Sequence, residues 1–410
     1  MVSILAHTSR MRVAWLALAA LFVLAPTVSA RAQLTRRGES IVVSDVGPTK
    51  RLPALAFDPV NGRWLVVWSL HPVAGRFLDR DGTPLGDPFV VPSRSPEGSI
   101  APRVVHAPGI DAFLVTWLAE ESGSSRVSAR LVRANADGTP SFVSGDVSVS
   151  ETARAKHPES SPSAAWSEAS RTFVVTWADT EGDLDVRARR LDAAAVPLGD
   201  EVLVSSGEAF DAFPVVSVSP VGDTFLIAWT YEPVTGGGSI ATRRMTASDG
   251  ALGEEHVLYA STFENYPDLA YDARRDRFFV VSWHIGPGEH DVWGRFADTS
   301  GAPIGEVIPV AASAGFEGGD GIGVAYNREA DAYTVVYQTD DLDVWGSAMT
   351  GDGMPGASFE ITTGARMGSY APRVAAEDGA PRFLVVASLD FDRIVAQGLD
   401  APAVALPDAG

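Results

Sequence analysis

Seven copies of one apolar, aromatic-ended segment recur along this chain, and that repetition restricts its fold more than any other feature. The copies are Arg63 to Trp68, Ala112 to Trp117, Thr172 to Trp177, Thr224 to Trp229, Arg277 to Trp283, Ala332 to Tyr337 and Arg382 to Ala387. Their final residues are 49, 60, 52, 54, 54 and 50 residues apart. A second landmark stands 15 or 16 residues upstream of each: Pro53, Pro102, Pro162, Pro214, Pro267, Ile322 and Pro372. Two landmarks that keep one offset seven times mark a repeat architecture, in which each unit is a supersecondary element that buries its surface against its neighbours.

Each unit reads as four strands. The first follows the landmark, as in Pro53 to Asp58 and Pro267 to Asp272, and the second is the apolar run. The third alternates, as in Val186 to Leu191 and Val292 to Phe296; the fourth is short, as in Glu201 to Ser205 and Glu306 to Val310. Asp81-Gly82, Asp137-Gly138, Asp249-Gly250 and Asp352-Gly353 mark hairpin turns between the third and fourth strands. The second strand is apolar at consecutive positions, so both of its faces must be buried. Four-stranded sheets stacked radially achieve that. A linear solenoid would show polar capping repeats, which are missing here. The expectation is an all-β, seven-bladed β-propeller of four-stranded antiparallel blades. Its seventh unit has a third strand at Arg393 to Leu399 but no fourth. The fourth-strand pattern reappears at Glu39 to Ser44, so residues 39–44 are expected to pair antiparallel with residues 393–399 and close the ring.

Taken together, the recurring Pro-x-Val/Leu-Ala, Phe-Leu-Val-Val-Trp, Asp-Val-x-Ala/Gly-Arg and Asp-Gly-x-Pro-Leu-Gly resemble the blade repeat of secreted bacterial β-propeller proteins. That repeat is of the myxobacterial type, distantly similar to TolB-type and WD40-like propellers. The resemblance covers about residues 39 to 400, implies a binding function, and transfers no catalytic residues. No Gly-His and Trp-Asp pair recurs in each blade, which separates it from WD40 proper.

Ahead of the repeats, Arg10 and Arg12 precede an apolar run from Val13 to Ala25 and a small-residue stretch ending at Ala32. This reads as a signal peptide over residues 1–32, followed by the propeller over 33–402 and a tail over 403–410. Thirteen apolar residues span about 20 Å, too short for a roughly 30 Å hydrocarbon core. The expected mature protein is therefore secreted or periplasmic, with no membrane insertion after cleavage. The chain has no Cys, so it lacks a lipidation site, a disulfide and a thiolate metal site, and burial alone must hold it together. Cleavage removes three arginines and no acid, taking the formal charge from −20 to −23. Such a charge repels phosphate backbones and makes nucleic acid a poor partner.

In a propeller, the loops between strands two and three and those between strand four and the next strand one share a face. Acids crowd these loops and imply a negative face. Three pairs, Asp183 with Asp185, Asp341 with Asp343 and Asp390 with Asp392, are spaced to put both carboxylates on one side of an extended chain. They are metal candidates, with Ca2+ as the fitting ion. The competing reading is that they accept turn amide hydrogen bonds; otherwise no cofactor is implied. The strand-two aromatics read as inter-blade core. Better ligand candidates lie in the loops entering the first strands: Phe210, Phe213, Phe263, Tyr266, Phe316 and Tyr370. Arg103 and Arg373 each follow a landmark Pro and resemble the channel arginines of sialidase-like propellers, but the aromatic Asp-box hairpin is absent. No HExxH, Gly-x-Ser-x-Gly or phosphate-cradling motif appears. The expected function is a monomeric, non-enzymatic binding module that takes a glycan, a basic protein segment or a cation at the acidic loop face or channel mouth. The alternative is a hydrolase or lyase acting on carbohydrate on the same scaffold.

Overall fold

The computed structural model describes residues 33–45, 51–93, 98–121, 124–151, 161–179, 184–205, 209–233, 236–259, 264–286, 289–312, 317–362 and 368–404. Its strands form seven antiparallel sheets, and the only helical element among the described residues is a 3-10 turn at Pro108–Ile110. Blade 1 runs from the channel outward as Arg51–Asp58, Arg63–Ser69, Ala74–Asp79 and Pro84–Val90, and blades 2 to 6 repeat that order. In blade 2 the outer strand is broken into Pro140–Phe142 and Val147–Ser148, both pairing with Ser124–Ala134.

Blade 7 closes as expected. Its first three strands are Ser369–Glu377, Arg382–Leu389 and Arg393–Asp400, and its fourth is Thr35–Ser44. The closing pair is antiparallel, with Ile41 opposite Ala396, Val42 opposite Val395 and Ser44 opposite Ile394. Gln397 fastens it further by accepting a hydrogen bond from Ser40 Oγ at 2.9 Å.

The second strands are buried on both faces because each face meets a different blade. In blade 1, Leu65 and Val67 pack with Phe113, Val115 and Trp117 of blade 2, whereas Trp64, Val66 and Trp68 pack with Leu384, Val386 and Ile394 of blade 7. Fully burying each such side chain contributes roughly 1.5–3 kcal/mol, so a run of consecutive apolar residues is stable here and would not be in a one-sided sheet. Trp68, Trp117, Trp177, Trp229 and Tyr337 are all buried, while Trp283 is only partly so.

Polar contacts repeat with the same period. On the third strands, Arg76, Arg130, Arg189, Arg243 and Arg295 each donate to a carbonyl of the preceding blade: Val43, Val91, Val149, Val204 and Leu258 respectively. Blades 6 and 7 carry Ser347 and Gln397 at the same register. The Asp-Gly hairpins form as expected. Gly82, Gly138, Gly250 and Gly353 all have φ between 80° and 90°, and the Gly82 amide donates to the Asp79 carbonyl at 3.0 Å.

Except in blade 3, where the first strand is Ser163–Ser167 directly after Pro162, the first strands begin earlier than the sequence suggests. They start upstream of the landmark and cross it on a bulge, seen as register shifts between residues 51 and 54, 100 and 103, 212 and 215, 265 and 268, and 370 and 373. Proline has no amide to donate, and the bulge accommodates it; blade 6 bulges at the same place, between residues 318 and 323, across Ile322. The residue before the proline takes a left-handed conformation in five blades: Leu52, Ala101, Phe213, Tyr266 and Ala371, with φ between 49° and 53°. Phe210, Phe213, Tyr266 and Tyr370 therefore lie within the first strands and not in loops ahead of them.

Candidate functional site

The bulge decides what the channel presents. Ala54, Arg103, Ser163, Val215, Asp268 and Arg373, each one residue after its landmark, line a cavity of about 160 Å3. Just outside it, Leu52, Ser161, Phe213, Tyr266 and Gly321, each one residue before a landmark, line an adjoining cavity of about 70 Å3 that shares Arg103 and Arg373. These residues start the inner strands, so this mouth opens on the face that carries the strand-two-to-three loops.

Most of the inner ring is small or apolar, and its three charged members come from blades 2, 5 and 7. Asp268 Oδ2 accepts the Val324 amide at 2.9 Å. Arg373 Nη1 donates to the carbonyls of Ile322 at 3.0 Å and Pro372 at 2.9 Å, and Arg103 Nη1 donates to the Pro102 carbonyl at 3.2 Å. A Cβ on Gly321 would stand 2.9 Å from Arg373 Nη1, so a side chain there would require the guanidinium to move.

Burial, then the charge of Arg373, pushes Arg103 down to about 9, which leaves it protonated at neutral pH. Burial also lowers Arg373, and Asp268 opposes the shift. The Asp268 carboxyl is raised by burial, against the pull of Arg373, the Val324 amide and Arg103. Two guanidiniums against one carboxylate leave a cationic mouth in a chain of formal charge −20. Beside it, the rings of Phe213 and Tyr266 lie 4.1 Å apart at 39°, and Trp283 extends the group 5.9 Å from Tyr266. An apolar aromatic wall next to partly desolvated, hydrogen-bonded arginines suits a flat ligand that carries an anionic group.

Of the residues singled out in the sequence, Arg103, Arg373, Phe213 and Tyr266 are brought together here. Phe210 is 38% exposed and pairs across the strand with Glu232, outside the mouth lining. Tyr370 stacks on Phe391 at 4.0 Å, and Arg51 covers the Phe391 ring at 4.5 Å, which ties blade 7 to blade 1. Phe263, Phe316 and Asp183 lie outside the described residues. Asp185 stands opposite Asp179, which pairs with Arg187 at 2.8 Å. Asp390 and Asp392 share Arg393, at 2.7 and 3.3 Å. The Asp343 carboxyl is raised by burial and then by Asp341.

The acids of this face are divided between surface and interior. Asp340, Asp341 and Asp392 are exposed, but Asp179, Asp211, Asp291 and Glu317 are buried. Asp211 Oδ1 accepts a bond from Trp229 Nε1 at 2.9 Å, and burial pushes its carboxyl up to about 6.

Asp268 was not singled out in the sequence, although the signal was present: it follows Pro267 as Arg103 and Arg373 follow their prolines. The opposite end of the channel was missed altogether. There, Val105, His106, Trp166, Glu168, Val216 and Val218 help line a cavity of about 600 Å3.

No protein-family model matches the sequence, and no curated protein matches it. Among solved structures, the chain is similar to the BP39L lectin from Burkholderia pseudomallei. The two are 13% identical and align over 87% of this chain and 100% of that one, with a TM-score of 0.61. It is also similar to the Hadza microbial sialidase Hz136, at 9% identity over 83% of this chain and 73% of the other, with a TM-score of 0.51. At these identities the likeness is one of fold.

Proposed function

We propose that this protein is an exported carbohydrate-binding propeller, and that its channel mouth holds a glycan bearing a carboxylate. The observation that carries this reading is the convergence of Arg103 and Arg373 from blades 2 and 7 beside the Phe213–Tyr266 wall. Guanidiniums held by backbone carbonyls are already oriented, and a carboxylate that replaces their remaining hydration gains charge-assisted, paired hydrogen bonds. An aromatic face supplies the apolar contact that a sugar ring needs. The lectin and sialidase among its fold neighbours make carbohydrate the ligand class to test first. The signal-peptide pattern and the likeness of the repeat to secreted bacterial propellers support export.

Binding without turnover is the preferred reading. Among the described residues lining the two mouth cavities, Asp268 is the only carboxylate, whereas most glycoside hydrolases use a pair. A hydrolase remains the second reading because Tyr266 lines the same mouth, and a tyrosine nucleophile is known in sialidases.

Screening the purified protein on a glycan array tests the proposal. Retention of uronic- or sialic-acid glycans over neutral ones is expected, with at least tenfold weaker binding in Arg103→Lys and Arg373→Lys, or about 1.4 kcal/mol. Retention of no glycan, or retention indifferent to both substitutions, would refute it. Sugar release that disappears in Tyr266→Phe would establish the hydrolase instead.

A further inference from the structure

The far end of the channel brings three metal-ligating side chains together from two blades. Asp58 ends the first strand of blade 1, His106 lies near the end of the first strand of blade 2, and Asp111 follows the 3-10 turn after it. One ligand atom from each lies within 4.8 Å of the others, the one such group of three among the described residues. His106 Nε2 is 3.4 Å from Asp58 Oδ1.

The imidazole itself is the independent sign of a ligand. His106 is only 8% exposed; its Nδ1 has no hydrogen-bond partner, and its Nε2 has only the 3.4 Å contact with Asp58 Oδ1, which does not meet hydrogen-bond geometry. Buried polar atoms are paired in the great majority of cases, and an unpaired one asks for an ion or a water. Phe113 packs against the ring at 4.7 Å and offers no hydrogen-bond acceptor in its plane.

Both carboxylates are held in place. Asp58 Oδ1 accepts the amides of Val60 at 2.9 Å and Asn61 at 3.1 Å. The Asn61 amide nitrogen donates to Asp58 Oδ2 and to Asp111 Oδ1, each at 2.8 Å, and so bridges the two acids. The Asp111 backbone amide is tied to the Pro108 carbonyl at 3.0 Å. Glu168 adds a third negative charge nearby, held by Trp166 Nε1 at 2.7 Å and the Gly109 amide at 3.0 Å. Cations also border the site: Arg133 Nε is 3.8 Å from Asp111 Oδ2, Arg63 is the cross-strand neighbour of Asp58, and Arg171 Nη1 donates to the Gly109 carbonyl at 3.2 Å. Burial lowers the His106 pKa, against the pull of Asp58, Asp111 and Glu168.

We propose that Asp58, His106 and Asp111 form a site for a divalent transition-metal ion of the Zn2+ class. One imidazole nitrogen with two oriented carboxylates is a hard-to-borderline donor set, and the imidazole favours Zn2+ over Ca2+ or Mg2+. Metal–ligand bonds of about 2.0–2.2 Å require the three atoms to lie closer together than the 4.8 Å within which they now stand, and the partly exposed Asp111 can supply that movement. The bridging Asn61 and the turn amides orient the donors as outer-shell partners do in known sites. Three protein ligands leave a position for water or another oxygen donor, and the adjoining 600 Å3 cavity, which His106 itself lines, provides access to it.

Calorimetric titration of chelator-treated protein with Zn2+ tests this without reference to glycan binding. One equivalent is expected to bind saturably, to resist competition by Mg2+ and Ca2+, and to raise the melting temperature. His106→Gln and Asp111→Asn should each weaken binding at least tenfold. Asn tolerates the left-handed backbone at 111 and can still accept from Asn61, so Asp111→Asn decides the matter even if His106→Gln does not fold. Absence of saturable Zn2+ binding, or equal affinity in wild type and Asp111→Asn, would overturn the proposal.

Discussion

The two ends of the channel are built from the same seven strands, yet they carry opposite chemistry. Where the strands begin, the charged ring members are two arginines and one aspartate, flanked by aromatics. Where they end, the charged residues of the inner strands are acids: Asp58, Asp272 and Glu377 are all buried at the last positions of their strands, and arginines from outside the inner strands, Arg275 and Arg277 at Asp272 and Arg80 and Arg382 at Glu377, pair with the last two. The difference follows from what the backbone asks of each end. In several blades the final residue caps a tight turn, as Asp58 does for Val60 and Asn61 and Asp272 does for Arg274 and Arg275. Side-chain oxygens are selected there whatever the ligand. The residue after the proline has no such duty, because the bulge has already resolved the ladder and the side chain points into the channel. That position is free to vary from Ala54 to Arg103 to Asp268, and its variation forms the mouth.

The contrast can be broken most severely at Asp268. Replacing it with Ala leaves two desolvated guanidiniums without their counter-charge, and a loss of roughly 3 kcal/mol is expected, read from urea denaturation. A loss below about 0.5 kcal/mol would mean that the arginines are solvated and the mouth is not preorganised.

A smaller effect, with opposite signs at the two ends, is expected from pH. Asp211, on the mouth side, has its folded carboxyl raised to about 6. Between pH 4 and 6 the folded state keeps a proton that the unfolded state has lost, so stability falls as pH rises through that window. The expected change is on the order of 1–2 kcal/mol after allowance for solvent screening. Asp211→Asn should remove this slope. At the other end the folded His106 pKa lies below its ordinary value. Just below pH 6.5 the unfolded state holds the extra proton, so stability rises with pH there, and His106→Gln should remove that slope. Melting temperatures of both variants across pH 4 to 8 give the comparison, and slopes of the same sign would contradict it.

The smallest expected change is at Phe210. It is exposed and outside the mouth lining, so Phe210→Ala should shift stability by no more than about 0.5 kcal/mol and leave glycan retention as in wild type. A marked loss of retention would extend the site beyond Phe213 and Tyr266.

Blade number, strand order and ring closure were legible in the sequence because each rests on a local pattern. Consecutive apolar residues imply two buried faces, and the unmatched fourth-strand pattern at residues 39–44 implies a partner at the other end of the chain. The mouth was legible only in part. Arg103 and Arg373 stood out as charges after prolines, while Asp268 was lost among the many acids of the chain. Acids that looked like a surface feature, Asp211 and Glu317 among them, turned out to be buried.

The sequence by itself therefore determined the architecture, since a repeated hydrophobic period leaves few ways to bury both faces of seven similar strands. Only the tertiary structure decided which side chains meet. Arg103, Asp268 and Arg373 are up to 270 residues apart and converge because radial stacking brings one register of every blade to a single axis. Asp58 and His106 meet because neighbouring blades end their inner strands side by side. No spacing within one unit encodes either contact, for each depends on the angle between sheets.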